Sequence, residues 1–369
     1  MTLDSHPQHL NGTLRDGLYI KHMPSCYSSL QAAQYLDRIG FSPAEYVSEA
    51  VIAAGKFPAT LENLERIMRL HSCTVPFENT EIHYSPEHIV GVDPQYLFRR
   101  LVDEDMGSDC LGLNLFLLGI LRRLGYRGYN VAARVNLNGK ADSHEISSSI
   151  HLMILVQPFA SSNLTYLVDV AFGPTSTSPI LLSDAEDNIV TGISSTERIR
   201  LRRWVDPRSS LETRPGLTKQ NWVVEVQHLK GKDLDPATTS WTPFFMFPEQ
   251  EFYAQDIIDG SFVVSLEPSG ILYKNLMIVK HFLLDEEGKM IFDSSPMERR
   301  KGDIIKRDLG RVVLFGPQLK FITGPQSQVR ELKSEQERVQ VIRDTFGIMI
   351  EDDEIRFMEG RDAALPVRF

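Results

Sequence analysis

The sequence predicts an α+β fold, and three observations carry that reading. Apolar residues recur at helical spacing through the first third of the chain. From residue 129 onward the period drops to two and β-branched residues take over. Helical spacing then returns once, over residues 334–346. Four regions follow from this order: an arm at 1–28, a helical region at 29–125, a β-rich region at 126–235 and a mixed region at 236–369.

The arm is polar and rich in histidine, so it is expected to be flexible and is not a signal peptide. In the segment 30–36 of the helical region, Leu30, Ala32, Ala33, Tyr35 and Leu36 put apolar residues on one face. Leu61, Leu64, Ile67, Met68 and Leu70 form another, behind Thr60 as N-cap. Residues 111–124 carry a broad apolar face. Gly125 stands where a left-handed cap belongs, and Arg122 and Arg123 suit the negative end of the helix dipole. The β-rich region reads as strands over 129–137, 150–156, 165–172 and 222–227, with a hairpin turn at Asn138-Gly139. Residues 176–204 are polar and read as a loop or insertion. Strands are also expected over 262–267, 276–284 and 290–293, the last two joined by a turn at 285–288.

Composition narrows the function classes. Hydrophobic residues at 42% and charged residues at 24% exclude wholesale disorder. A net charge of -10 argues against nucleic acid or an anionic membrane as partner. The longest apolar run, 111–121, is broken by Asn114 and is too short to span a bilayer. Three cysteines, Cys26, Cys73 and Cys110, form no disulfide framework and point to a reducing, cytoplasmic setting. Walker A, G-x-S-x-G, dinucleotide and H-E-x-x-H patterns are absent, and no metal site is expected.

Three residues carry chemistry. Cys110 follows Gly107-Ser108-Asp109 at the start of a helix, where the dipole and free N–H groups favour a thiolate. His151 and Asp169 each lie on an apolar strand. Alone, each reads as a buried, hydrogen-bonded residue. If Val156 pairs with Leu164, however, His151 falls opposite Asp169 on the same face. The carboxylate then holds one ring nitrogen and leaves the other for a thiol proton. Cys110 attacks, His151 acts as base and then acid, and Asp169 orients the ring.

With these residues in view, the chain resembles the arylamine N-acetyltransferase family. Val75-Pro76-Phe77-Glu78-Asn79 resembles its P-F-E-N motif. Gly107-Ser108-Asp109-Cys110 with Asn114 resembles its R-G-G-x-C-x-E-x-N motif. The segments from His151 to Val156, from Leu167 to Gly173 and from Arg338 to Ile348 resemble its base strand, acid strand and terminal helix. The resemblance implies a helical bundle, a β-barrel-like domain and an α/β lid around a cysteine-protease-like triad. It implies ping-pong transfer of acetyl or another short acyl group from acetyl-CoA or a related acyl-CoA, with no resident cofactor. The acceptor would be an arylamine, hydrazine or arylhydroxylamine. Phe77 and Phe172 match positions that line the acceptor pocket.

The chain departs from the pattern beside the nucleophile. Met106 stands for the family's Arg, Ser108 for its second Gly and Gly112 for its Glu. Glu78 therefore needs a new partner, with Arg99, Arg100 and Arg122 as candidates. Other readings of the triad are a transglutaminase-like or thiol hydrolase enzyme, a biosynthetic amide synthase, and a catalytically impaired homologue.

Overall fold

The computed structural model describes residues 11–140, 145–171, 176–229, 235–292 and 295–366. The N-terminal third is helical. Its main elements are α1 (Ser29–Arg38), α2 (Leu61–Thr74) and α3 (Cys110–Arg123). Thr60 caps α2 by accepting from the Asn63 N–H. Past α3, Gly125 adopts φ +98°, a conformation that side chains resist. Between α2 and α3 the chain forms a two-residue strand, β1 (Phe77–Glu78).

The β-rich region folds as an eight-stranded antiparallel sheet that closes almost into a barrel. It begins with β2 (Arg127–Asn136), β3 (Ile146–Gln157) and β4 (Tyr166–Val168). The segment expected to be a loop at 176–204 instead holds β5 (Ile180–Leu181), β6 (Ile189–Thr191) and most of β7 (Glu197–Val205). In β7 Ile199 and Leu201 turn into the barrel while arginines alternate outward, so charge masked a period-two strand. A small hairpin, β8 (Glu212–Arg214) and β9 (Leu217–Thr218), leads into β10 (Gln220–His228) and β11 (Thr242–Phe247). The strand order is β5-β4-β3-β2-β11-β10-β7-β6. Strand β11 lies beyond the boundary expected at 235, yet it sits between β2 and β10 in this sheet.

A second sheet follows the order β1-β12-β14-β15-β16, with β13 on the edge of β12. Its members are β12 (Met277–Leu284), β13 (Met290–Ile291), β14 (Leu309–Phe315), β15 (Gln318–Thr323) and β16 (Gln326–Glu331). Strand β1 thus belongs by pairing to the C-terminal sheet, with Phe77 opposite Val279. Residues 262–266, expected as part of a strand, lie in a helix, α4 (Ala254–Leu266). Its Ile257 and Val264 are buried, while Phe262 and Val263 face outward, so β-forming residue types misled the reading. The terminal helix α5 (Glu335–Val341) continues as a wider turn to Phe346 and stops at Gly347, φ +75°.

The expected arm is tied down from residue 11 onward. Thr13 bridges Leu164, the Gly12 N–H donates to the Leu182 carbonyl, and the Ile20 N–H donates to Gln157 Oε1. Leu14 and Ile20 enter the barrel core. Among the described residues no helix is long and apolar enough to cross a membrane.

Candidate active site

The site lies where the start of α3 meets β3 and the end of β4. Asp109 is the N-cap of α3, and its Oδ1 accepts from the Leu111 and Gly112 N–H groups, each at 3.0 Å. Cys110 is the first helical residue and is buried. Its thiol donates to the Ile150 carbonyl at 3.5 Å, one residue before His151. Burial pushes the Cys110 thiol well up, and the Asp109 carboxylate adds to this, against a backbone N–H at Leu152 that favours the anion.

His151 Nε2 lies 2.7 Å from Asp169 Oδ2. The contact forms by a different register from the one expected. Val156 pairs with Tyr166, Leu155 with Leu167 and Ile154 with Val168. The shift from the expected Val156–Leu164 pair is two residues, so the facing side is preserved. Asp169 lies one residue beyond the last paired position, and His151 reaches it diagonally. Leu164 is taken instead by the N-terminal segment.

Asp169 is fully engaged. Its Oδ1 accepts from Asn114 Nδ2 at 2.9 Å and from the Ala171 N–H at 3.0 Å. Asn114 also donates to the Leu152 carbonyl at 2.7 Å and accepts from the Val170 N–H at 3.3 Å. Asn114 sits one helical turn after Cys110, so one buried amide ties the nucleophile helix to both β3 and the acid. The His151 ring stacks on Phe245 of β11, with centroids 4.0 Å apart and planes 2° from parallel. Sequence reasoning missed Phe245. The run of apolar residues at 242–247 was the available signal, but only the barrel closure brings it to His151.

Glu78 finds its partner in Arg100. Arg100 Nη2 donates to Glu78 Oε1 at 2.6 Å, and its Nε donates to the Gly107 carbonyl at 2.8 Å. Both residues are buried. Glu78 Oε2 accepts from the Thr80 N–H at 2.6 Å, and the Glu78 N–H donates to the Ser108 carbonyl at 2.9 Å. Arg100, from the preceding helical stretch, is thus the partner of Glu78, while Met106 packs against the core between the C-terminal sheet and the terminal helix.

The other two departures compensate each other. A Cβ added at Gly112 would sit 2.1 Å from Ser108 Oγ and 2.8 Å from its Cβ. Ser108 therefore occupies room that a side chain at 112 would need. Gly107 is required by close contact. A Cβ there would lie 2.1 Å from the Pro76 carbonyl oxygen and 2.7 Å from Glu78 Cγ.

Phe77 is buried in the same core as Cys110. Phe172, the second expected pocket residue, lies outside the described residues. Ser147 Oγ is used within the sheet, accepting from the Val135 N–H at 2.8 Å and donating to the Ser148 carbonyl at 2.6 Å. Cys26, Cys73 and Cys110 are all free thiols. Among the described residues no group of three or more His, Cys, Asp or Glu side chains is placed to hold a metal ion.

Residues 60–355 match the N-acetyltransferase family model. The chain is 28% identical to an N-malonyltransferase FDB2 of Fusarium pseudograminearum over 343 residues, 90% of this chain and 92% of that one. It is 34% identical to an arylamine N-acetyltransferase of Mycobacterium bovis over 158 residues, 42% of this chain and 50% of that one. The arylamine N-acetyltransferase structure from M. tuberculosis matches with a TM-score of 0.64 at 24% identity, covering 88% and 99% of the two chains. A Mycobacterium marinum arylamine N-acetyltransferase structure in complex with CoA matches with a TM-score of 0.61 at 22% identity, covering 90% and 96%.

Proposed function

Because this chain belongs to the arylamine N-acetyltransferase family, we propose that it moves a short acyl group from an acyl-CoA through Cys110 to an amine. The observation that carries this reading is the His151–Asp169 contact at 2.7 Å, together with a buried cysteine at a helix start whose thiol donates to the Ile150 carbonyl, one residue before His151.

Asp169 holds His151 Nε2, which leaves Nδ1 as the nitrogen for the thiol. In acylation, Nδ1 takes the Cys110 proton while sulfur attacks the acyl carbonyl. The new S–C bond forms, the bond to the coenzyme A sulfur breaks, and the leaving thiolate takes the proton from the imidazolium. In the second half, the amine nitrogen attacks the acyl-cysteine. Nδ1 accepts the amine proton and returns it to the Cys110 sulfur as the amide leaves. Asp169 orients the ring and stabilises the imidazolium. Phe245 and Asn114 hold the pair in place, and Phe77 is assigned to the acceptor side of the site.

The acceptor is an arylamine, hydrazine or arylhydroxylamine in this reading. A second reading is favoured by one observation. The likeness to the Fusarium N-malonyltransferase extends over 90% of this chain, whereas the Mycobacterium bovis match covers 42%. In that reading the donor is malonyl-CoA and the product a biosynthetic amide.

Intact-protein mass after mixing with acetyl-CoA or malonyl-CoA tests both. A gain of one acyl group, lost in Cys110→Ala and discharged by an aromatic amine, is the expected result. The identity of the added group selects the donor. An adduct that persists in Cys110→Ala overturns the mechanism.

A further inference from the structure

The ring of His151 meets an aromatic ring rooted two strands away. His151 pairs with Ala133 of β2, and Phe245 pairs with Val135 on the other edge of the same strand. Directly paired residues point to one face of a sheet, and positions 133 and 135 share theirs, so all four side chains face the barrel interior. Both rings are buried there. Neighbouring strands lie about 4.8 Å apart, so rings from β3 and β11 can stack only above β2, where Ala133 carries a methyl group alone.

Two irregularities aim them at each other. Strand β3 carries one extra residue, Ile150, directly before His151: Ala133 pairs with His151, but Arg134 pairs with Ser149. Strand β11 carries one extra residue, Phe244, directly before Phe245: Val224 pairs with Phe245, but Glu225 pairs with Pro243. Pro243 has no N–H to give a ladder, which suits it to a bulge. Bulges bend their strand and re-aim the side chains beside them. Phe244 then backs Phe245 edge-on, with centroids 4.7 Å apart and planes at 80°.

The contact with Asp169 does not by itself fix the imidazole. It holds Nε2 at the tip of the ring, close to the Cβ–Cγ axis. Turning the ring about that axis moves Nε2 little, and this torsion is broad in histidine. Nδ1 lies well off the axis and swings widely in the same turn. A flat partner on the ring's face is what stops it.

We propose that Phe245 is a positioning residue: lying on the His151 ring at 4.0 Å, with planes 2° apart, it fixes the plane in which Nδ1 is presented to the Cys110 thiol, and Ala133 is the small residue that admits the pair. This rests on the reading of Cys110 as nucleophile and His151 as base. Apolar bulk alone does not do the same. A branched aliphatic side chain fills the volume but offers no flat face, so the imidazole regains its torsion.

The test is the rate at which iodoacetamide alkylates Cys110 at neutral pH in the full chain, followed by mass on the peptide bearing Cys110. Phe245→Leu keeps apolar volume, Phe245→Tyr keeps the ring, and His151→Gln sets the rate without the base. The expected result is alkylation at least about tenfold slower in Phe245→Leu, toward the His151→Gln rate, and within about threefold of the parent in Phe245→Tyr. In acyl transfer, kcat falls by a similar factor in Phe245→Leu while KM stays within about twofold. Ala133→Val crowds the space above β2 without touching either ring's identity and is expected to slow alkylation in the same direction. Parent-like alkylation in folded Phe245→Leu, or equal losses in the Leu and Tyr variants, overturns the proposal. If Phe245→Leu does not fold, a parent-like rate in Ala133→Val overturns it. Alkylation needs no donor or acceptor, and the two failures read differently: a parent-like rate in His151→Gln removes the base reading, whereas a slow His151→Gln with a fast Phe245→Leu removes this proposal alone.

Discussion

The two walls of the site are built by different physics. On the barrel side, His151 and Asp169 are fixed by hydrogen bonds to Asn114 and the backbone, and by the stack on Phe245. On the helical side, the turn leading into Cys110 is held by a buried ion pair, Arg100–Glu78, and by backbone packed too closely for a side chain at 107. The helical side differs from the resembled motif at Met106, Ser108 and Gly112 and still closes around Cys110. Each change there is answered by a neighbour: Arg100 for the Arg absent at Met106, and the Ser108 hydroxyl for volume absent at Gly112. A motif can thus be altered in letters while its contacts are rebuilt in space.

Three substitutions probe that contrast. Arg100→Met should have the largest effect on stability, because it strands the buried Glu78 charge. The expected loss is about 3–5 kcal/mol in urea unfolding, with much of it recovered in the double variant Arg100→Met/Glu78→Met. A single variant as stable as the parent would mean that the ion pair does not hold this wall.

Asn114→Ala acts on the barrel side. It removes donors from Asp169 and the Leu152 carbonyl, an expected cost of about 1–3 kcal/mol. The catalytic rate should fall more than the apparent substrate affinity, since the acid is released and not the pocket. Equal changes in kcat and KM would assign Asn114 a binding role instead.

Gly112→Ala should cost least, about 1–2 kcal/mol, through collision with Ser108. Ser108→Gly/Gly112→Ala should return stability to within about 0.5 kcal/mol of Ser108→Gly alone. Additive losses would show that the two positions do not share the space.

The candidate site residues Cys110, His151 and Asp169 were legible in the sequence because their constraints are local. A thiol at a capped helix start, a histidine on an apolar strand and an acid after a short hairpin each stand out in context. The expected register was off by two residues, and the His151–Asp169 contact survived because side chains alternate with period two. A slip of one would have removed it. Arg100 was one of three candidates for Glu78, and only the fold chose it, since the two are 22 positions apart with a helical stretch between them. Phe245 and the placement of β11 depend on barrel closure, which no local pattern encodes. The misread segments failed for opposite reasons. Arginines hid the strand at 197–205, and phenylalanine and valine disguised the helix at 254–266.

The N-terminal segment carries a practical consequence for anyone shortening or tagging this protein. Cutting the chain before Ser29, at the first obvious helix, would withdraw Leu14 and Ile20 from the barrel interior. It would also leave the Leu164 and Leu182 backbone groups that now bind residues 12 and 13 open at a sheet seam. Exposed strand edges of that kind recruit other chains. A trimmed version would therefore be prone to clump during expression, even though every residue of the Cys110 site is still present.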